Sequence, residues 1–256
     1  MPVVNVLEDR FNSVLMHWFL FVVSGLSDIS SMPKPILFHT PITETFQRES
    51  LELLKPDYEY VENTSGHSII QRHGAPCIDL CHVPDHYYHF VRNTILVKNG
   101  LENTAAPTRR IYISRSKSHL LTINNGHKKR QMIGEGELID TLKEHGFECI
   151  HLEDYSLQDK IRLFQEANIV VSPNGGAFTM CFFANRASTM VFIRNQGTTE
   201  TQYSHICEVL SIPIVYYEKV RCLNVNGNET KGDFGEDFSM EVLDREDLVR
   251  TIQPYL

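Results

Sequence analysis

Two segments of the chain carry residue types suited to binding a phosphate. The first, residues 110–117 (RIYISRSK), is an apolar run that ends in Arg115 and Lys117, and the second, residues 169–179 (IVVSPNGGAFT), contains paired glycines. Guanidinium and ammonium groups bind phosphate oxygens, and so do the backbone N–H groups of a turn that opens a helix. Because such a turn often needs glycine for its conformation alone, the two segments predict a phosphate site only when taken together.

Polar residues with two interpretations follow the strand pattern at 148–152. Glu153 and Asp154 would lie at the carboxyl edge of a parallel sheet, where a carboxylate can accept hydrogen bonds from a ribose or a base; solvated loop residues are the alternative. Ser156 with Asp159 resembles a capping box with Asp in place of Glu, and we interpret it as a helix cap.

The second half of the chain alternates strand and helix patterns. Strand patterns cover 110–114, 148–152, 168–172, 189–193 and 212–217, and helix patterns cover 134–145, 157–167, 176–185 and 199–211. Strands separated by helices of about 10 to 15 residues favour right-handed crossovers. The pattern therefore predicts an α/β fold with a parallel, doubly wound sheet whose polar strand ends meet at one edge.

The first half shows the same alternation less regularly. Helix patterns cover 13–27, 44–54 and 84–98, and strand patterns cover 35–39, 58–62 and 76–80. A polar break at 99–107 then predicts a boundary between two domains, residues 1–105 and residues 106–256.

Composition limits the classes of function. The 256 residues carry a formal net charge of −8, which disfavours a nucleic-acid partner because phosphate neutralisation needs a basic field. The most apolar segment, residues 14–26, is shorter than the roughly 20 residues that span a bilayer, so we expect a buried helix and no integral membrane segment. The expected location is cytoplasmic, although a chain trimmed of an N-terminal anchor would look the same. The six cysteines are scattered, which favours reduced thiols over a zinc site.

Several groups of residues, in one order, resemble glycosyltransferase family 61. They are Tyr112-Ile-Ser-Arg-Ser-Lys117, Arg130 with Glu135-Gly-Glu-Leu138, Gly146-Phe-Glu148 with Leu152-Glu-Asp154, Gln158-Asp159 with Leu163-Phe164, and Ala167-Asn-Ile-Val-Val-Ser-Pro173. The pair His17-Trp18, preceded by Asn12, resembles an N-terminal signature of the same family in a looser form.

The resemblance implies a GT-B-like architecture, in which two Rossmann-like halves with parallel sheets face a cleft. Residues 1–105 would be the acceptor-side domain and residues 106–256 the nucleotide-sugar-binding domain. The implied enzyme is a hexosyl- or pentosyltransferase that inverts the anomeric carbon without an obligatory metal or other cofactor. Its donor would be a nucleotide sugar, expected to be UDP-linked, and its acceptor a glycan or another hydroxyl compound. Assembly as a homo-oligomer is left open.

By position, the resemblance also implies the residues of a donor site. They are Ser114, Arg115, Lys117, Arg130, Glu153, Asp154, Asn174, Gly175, Gly176, Ala177 and Thr179. Arg115 and Arg130 would hold the diphosphate, and Glu153 or Asp154 would lie near the nucleoside. A fixed guanidinium such as that of Arg115 can stabilise a departing diphosphate in place of Mg²⁺, in keeping with the lack of an Asp-x-Asp motif.

Direct displacement also needs a base to take the proton of the acceptor hydroxyl. The candidates in the first half are His17 and Asp85, the latter in the cluster Asp85-His-Tyr-Tyr-His89. The alternatives are a core histidine packed beside Trp18 and a capping Asp with aromatic neighbours.

Two positions depart from the family pattern. Asn174 stands where His is usual, and the strand pattern at 189–193 ends in Ile193 and Arg194 where Glu is common. Arg194 is then either a ligand for phosphate or an acidic donor, or a surface arginine. These departures keep open an alternative function, that of a catalytically silent nucleotide-sugar-binding or scaffolding protein in glycan assembly.

Overall fold

A computed structural model describes residues 3–7, 15, 18–40, 42–62, 69–73, 83–117, 132–195, 202–224, 226–230 and 238–256. The chain divides into two compact units, Met1–Glu102 with Ser156–Ile161, and Asn103–Tyr155 with Arg162–Leu256. The roles predicted for two domains, acceptor side and donor side, stay predictions. Four features of the sequence analysis, Asn12, His17, Arg130 and the strand pattern at 76–80, lie outside the described residues.

The first unit contains a parallel sheet of four strands in the order β3-β2-β1-β4. The strands are β1 (Val3–Leu7), β2 (Ile36–His39), β3 (Tyr58–Tyr60) and β4 (Ile69–His73), and the α-helices are α1 (Thr45–Leu54) and α2 (Asp85–Arg92). In the region of the helix predicted at 13–27, Leu15 is helical, and a π-helix over Trp18–Val23 continues as a 3-10 helix over Ser24–Ile29. A π-helical turn over Asn93–Val97 extends α2, and β1 and β4 were not predicted.

Side-chain hydrogen bonds fix the helices of the first unit on its core. The fully buried Trp18 donates its indole N–H to Ser50 Oγ at 2.8 Å, which joins the N-terminal helical segment to α1. A capping box between Glu44 and Gln47 begins α1, so the first free N–H groups of that helix are satisfied locally.

The second unit is built on a parallel sheet of five strands in the order β10-β9-β8-β5-β7. Its strands are β5 (Arg109–Ile113), β6 (Met132–Ile133), β7 (Glu148–Ile150), β8 (Ala167–Pro173), β9 (Thr189–Ile193), β10 (Ile214–Tyr217), β11 (Val220–Asn224) and β12 (Phe238–Val242). Its α-helices are α3 (Glu135–Glu144), α4 (Leu157–Glu166), α5 (Gln202–Val209) and α6 (Arg245–Ile252). A second, smaller sheet has the order β11-β12-β6. The predicted α/β class with parallel sheets is confirmed, and the arrangement is Rossmann-like.

Local signals position the five-stranded sheet. Gly146 ends α3 at φ +78°, a left-handed conformation that glycine adopts at low cost, and the predicted cap of α4 forms between Ser156 and Asp159. The segment predicted as a helix at 176–185 is a 3-10 helix over Gly176–Phe183, with every side chain from Phe178 to Phe183 buried. No helix in the described ranges is long and apolar enough to cross a membrane.

Candidate functional site

The carboxyl ends of the five parallel strands meet at one edge of the second unit, the ligand-binding edge of such sheets. The residue after each of three strands still bonds to its neighbour: Ser114 N donates to Ile150 O at 2.9 Å, Asn174 N to Ile193 O at 2.9 Å, and Arg194 N to Tyr217 O at 3.0 Å. We call this set of strand ends the rim. The backbone that follows β5, β8 and β9 is therefore held in register with the sheet.

Arg115 and the glycine turn meet on the rim. The guanidinium Nη1 of Arg115 donates a hydrogen bond to the carbonyl oxygen of Asn174. A Cβ atom on Gly175 would lie 2.6 Å from Nη1 and 2.8 Å from Cζ of Arg115. Because real Cβ atoms are not found that close to other heavy atoms, the guanidinium can occupy this position only beside a glycine. The sequence predicted that these groups converge, and here they are in contact.

Aromatic residues of the core hold the glycine turn in place. The hydroxyl of Tyr203, on α5, donates to the carbonyl oxygen of Gly175 at 3.1 Å, and the backbone N–H of Phe178 donates to the same oxygen at 3.0 Å. The Phe178 ring lies 4.6 Å from that of Phe192 and 5.4 Å from that of Tyr203. The turn is thus attached to the core through the carbonyl oxygen of Gly175 and the ring of Phe178.

Glu135 holds the end of β5 and the backbone that follows it. Its Oε1 accepts a hydrogen bond from the Tyr112 hydroxyl at 3.0 Å and another from the backbone N–H of Arg115 at 3.3 Å. Burial raises the pKa of Tyr112 well above its usual value, so the phenol stays protonated and donates to the carboxylate. Sequence reasoning gave Glu135 no role, although a glutamate directly after Gly134, at the start of the helix pattern 134–145, was a usable signal.

Lys117 and Asp154, both predicted donor-site residues, form an ion pair with each other. Lys117 Nζ lies 2.6 Å from Asp154 Oδ2, and each side chain is 51% exposed. Asp154 and Glu153 lie in a 3-10 turn over Leu152–Asp154, two residues beyond the end of β7. Glu153 is exposed. These residues therefore lie at the β7 end of the rim.

Other predicted donor-site residues differ in accessibility. The side chains of Ser114, Asn174 and Thr179 are buried, with exposed fractions of 2%, 2% and 0%. Ser114 Oγ donates to Ser116 Oγ at 3.0 Å, whereas Asn174 Oδ1 and Thr179 Oγ1 have no hydrogen-bond partner in the part of the chain that the structure describes. Gly176 and Ala177 are half-buried, so the start of the 3-10 helix reaches the surface.

Arg194 lies at the far end of the rim in a defined environment. Its Nε and Nη2 lie 2.9 and 2.8 Å from Glu218 Oε1, and its guanidinium carbon lies 3.7 Å from the centre of the Tyr216 ring. The group is thus partly buried and held by two neighbouring side chains, and its role as a ligand for phosphate or an acidic donor stays a prediction.

Asp85, a predicted base, begins α2 in the first unit with an exposed side chain. It is therefore not among the strand ends that form the rim. Its helix is held by the Tyr87 hydroxyl, which lies 2.9 and 2.8 Å from the two carboxylate oxygens of Asp28. Within the described ranges, no group of three or more His, Cys, Asp and Glu side chains is placed to hold a metal ion.

These features define a Rossmann-like α/β protein with a cationic group and a glycine turn at the carboxyl edge of its larger sheet. The chain belongs to glycosyltransferase family 61, because the family model described as Glycosyltransferase 61 matches residues 16–191, more than half of the 256 residues. Membership confirms the resemblance noted in the sequence and identifies a glycosyltransferase, which acts on a sugar donor and an acceptor. No match was found among curated proteins.

Proposed function

We propose that this glycosyltransferase transfers a hexosyl or pentosyl group from a UDP-linked sugar to a hydroxyl group of a glycan or similar acceptor, with inversion and without a required metal. The observation that carries the proposal is the contact between Arg115 and the turn at Asn174 and Gly175. It supports a diphosphate site because it combines a permanent positive charge with a backbone turn that begins a helix.

The chemistry would proceed by one displacement. The acceptor oxygen bonds to the anomeric carbon as the bond from that carbon to the diphosphate oxygen breaks, so the configuration inverts. The departing diphosphate gains negative charge, which the Arg115 guanidinium would stabilise without rearrangement. Lys117 would add charge by exchanging its partner Asp154 for a phosphate oxygen. The base that takes the acceptor proton is expected in the first unit, where the sequence predicts His17 and Asp85.

The experiment is a calorimetric titration of the protein with UDP, GDP and their sugar conjugates, in the presence of a chelator. We expect UDP conjugates to bind and Arg115→Ala to weaken binding by about 1.5 to 3 kcal/mol, roughly 10- to 150-fold in Kd, with little change in melting temperature. Arg186→Ala, which removes an exposed cation elsewhere in the second unit, is the matched control and should bind normally. Full affinity in a folded Arg115→Ala variant would remove Arg115 from the donor site.

Transfer is tested separately from binding. Incubation with a UDP-sugar and a panel of hydroxyl acceptors should give a product whose anomeric configuration, measured by NMR, is opposite to that of the donor. Chelator should leave the rate unchanged if no metal is required. Binding without transfer or donor hydrolysis would instead favour the silent nucleotide-sugar-binding protein. Loss of activity in chelator, restored by a divalent cation, would contradict the metal-independent mechanism.

A further inference from the structure

The peptide group between Gly175 and Gly176 has its carbonyl oxygen directed into the core of the second unit. This oxygen accepts two hydrogen bonds, from the Tyr203 hydroxyl at 3.1 Å and from the backbone N–H of Phe178 at 3.0 Å. Both donors belong to buried residues, with exposed fractions of 3% for Tyr203 and 0% for Phe178. Sequence analysis assigned no role to Tyr203, which lies beyond residue 191, where the match to the family model ends.

The direction of this carbonyl fixes the direction of the next N–H group. A trans peptide group is planar, so its C=O and N–H bonds point in opposite directions, and this peptide is not among the cis peptides of the described residues. The N–H of Gly176 therefore points away from the Tyr203 hydroxyl. Within the described part of the chain, neither this N–H nor that of Ala177 forms a hydrogen bond, and both residues are half-buried. Two N–H donors are thus available to an anion at the turn that contacts Arg115.

A second orientation of the same peptide group would oppose anion binding. A flip of the peptide changes ψ of Gly175 and φ of Gly176, and glycine adopts either sign of φ at low cost. The carbonyl oxygen, which carries partial negative charge, would then point where the N–H points now. If the free protein populated both orientations, its affinity for an anion would fall in proportion to the fraction with the N–H outward.

We infer that Tyr203 is a positioning residue that keeps the N–H of Gly176 directed at the diphosphate of the donor. Its hydroxyl can donate to the Gly175 carbonyl only when that carbonyl points inward. The Tyr203 ring is held by edge contacts with Phe178 and Phe192, at centroid distances of 5.4 and 5.3 Å, so the hydroxyl is in place before a ligand binds. The inference rests on the diphosphate site of the proposed function and adds to it a residue that acts through Gly176.

The test is a calorimetric titration of the full chain with inorganic pyrophosphate in the presence of a chelator. Tyr203→Phe keeps the ring contacts and removes only the hydroxyl, so we expect the Kd for pyrophosphate to rise roughly 3- to 10-fold, the effect of one neutral hydrogen bond. Tyr217→Phe is the matched control, because the hydroxyl of this buried tyrosine also donates to a backbone carbonyl, that of Asp244, at 2.8 Å. It should bind pyrophosphate with the wild-type Kd.

NMR of the wild-type protein gives a readout that a purely structural role of Tyr203 would not produce. Saturation with pyrophosphate should shift the backbone amide signal of Gly176, because that N–H donates to the anion. An unchanged Gly176 signal in the presence of bound pyrophosphate would overturn the inference, and this measurement does not depend on any variant being folded.

The titrations separate this inference from the proposed function. If the wild type binds pyrophosphate and UDP-sugar while folded Tyr203→Phe shows an unchanged Kd, the inference is overturned and the donor site stands. An equal loss of affinity in Tyr217→Phe also overturns it, since any buried tyrosine hydrogen bond would then have the same effect. A wild-type protein that binds neither pyrophosphate nor a UDP-sugar overturns both the inference and the proposed function.

Discussion

At Gly175, a single hydrogen atom in place of a side chain decides where the Arg115 guanidinium can lie. The two residues are 60 positions apart in the sequence, yet the guanidinium carbon would come within 2.8 Å of a Cβ at 175. The other end of the same contact is a backbone carbonyl, so the side chain at 174 does not enter it. Recognition of the donor is therefore expected to depend strongly on the glycine and weakly on the side chain of its neighbour.

We predict that Gly175→Ala weakens binding of UDP by roughly 10-fold while the melting temperature stays near that of the wild type. The new methyl group must displace the guanidinium, which is the flexible end of its side chain and can move without unfolding the turn. Gly136→Ala, where an added Cβ meets no atom within 4 Å, is the matched control and should bind as the wild type does. Calorimetric titration measures both, and unchanged affinity in Gly175→Ala would contradict the role given to this contact.

The hydrogen bond from the Tyr112 hydroxyl to Glu135 should contribute to the stability of the fold. Glu135→Ala leaves the buried Tyr112 hydroxyl without its acceptor, so we expect unfolding free energy to fall by about 1 to 3 kcal/mol. In the Tyr112→Phe background the same substitution should cost at least about 1 kcal/mol less, because no hydroxyl remains to be satisfied. Glu144→Ala, at the exposed end of the same helix, should change stability by less than about 0.5 kcal/mol. Denaturant unfolding of the four variants measures the coupling, and additive effects would contradict it.

The sequence predicted that Arg115 and the glycine turn lie on the rim, because Arg115 and Gly175 each follow an apolar run that forms a central strand. The sequence did not predict the ion pair between Lys117 and Asp154, because the partner of a loop side chain depends on three-dimensional distances that sequence spacing does not give. It also did not anticipate the burial of Asn174. That residue follows β8, its backbone continues the hydrogen bonding to Ile193, and its side chain is buried, which no local sequence pattern shows.

At the level of elements, burial on both faces made the central strands easy to predict. β9 was predicted with the observed bounds and β8 to within one residue at each end, because a strand covered on both sides is a continuous apolar run. β11 and β12 were missed: β11 alternates buried Val220 and Cys222 with exposed Arg221, and its antiparallel partner lies beyond a long polar insert. β6 has two residues, too few to show any period.

Arg109 links three elements of the second unit at the end of the sheet away from the rim. Its Nε and Nη2 bind the two carboxylate oxygens of Glu148 on β7 at 2.9 and 2.7 Å, and Nη1 lies 3.0 Å from Glu166 Oε2 at the end of α4. The hydrogen bonds from Arg109 lower the pKa of Glu148. With side chains 30%, 49% and 45% exposed, solvent screening keeps the contribution of these pairs small.

We predict that Glu148→Gln lowers the unfolding free energy by about 0.5 to 1 kcal/mol at pH 7. The folded-state pKa of Glu148 lies below its ordinary value of 4.5, so the stabilisation is present above pH 4.5 and is lost as the pH falls through the lower, folded-state value. The difference between the wild type and the variant should therefore disappear in acid. Asp140→Asn, in a more exposed pair with Lys143, should have no measurable effect at either pH. Urea titrations across this range check the prediction; a difference that persists in acid contradicts it.

At the scale of the whole molecule, the first turns of α4 belong to a different unit from the rest of that helix. Residues Ser156–Ile161 group with the first unit and residues from Arg162 onward with the second. Leu157 and Ile161 are completely buried, and the backbone N–H of Leu157 donates to Glu49 Oε2 at 2.8 Å. A single domain boundary placed in the sequence cannot describe this arrangement, because no local sequence pattern shows which of the two units a helical turn packs with.

We predict that a fragment of residues 103–256 has exposed apolar side chains at Leu157 and Ile161 and is poorly soluble. The double substitution Leu157→Gln and Ile161→Gln should raise the soluble yield of the fragment, because these side chains no longer have a core to enter. In the full chain the same two changes should lower the unfolding free energy by about 4 kcal/mol or more, since each removes a buried apolar side chain. Soluble yield and denaturant unfolding measure the two effects. If the double substitution raised both the soluble yield of the fragment and the unfolding free energy of the full chain, or lowered both, the shared-helix arrangement would be contradicted.

The division of α4 between two cores also constrains how the chain can be recombined. A chimera that takes its second half from a relative would also take the relative's helical turns at 156–161, which pack with the relative's own first unit. A crossover point at 103–108 would therefore place these turns beside a first unit from the other parent, which they do not match. Successful chimeras should therefore carry the segment Ser156–Ile161 from the same parent as residues 1–102. The same dependence would oppose exchange of the halves during evolution, so that residues 1–102 and the turns Ser156–Ile161 would be inherited together.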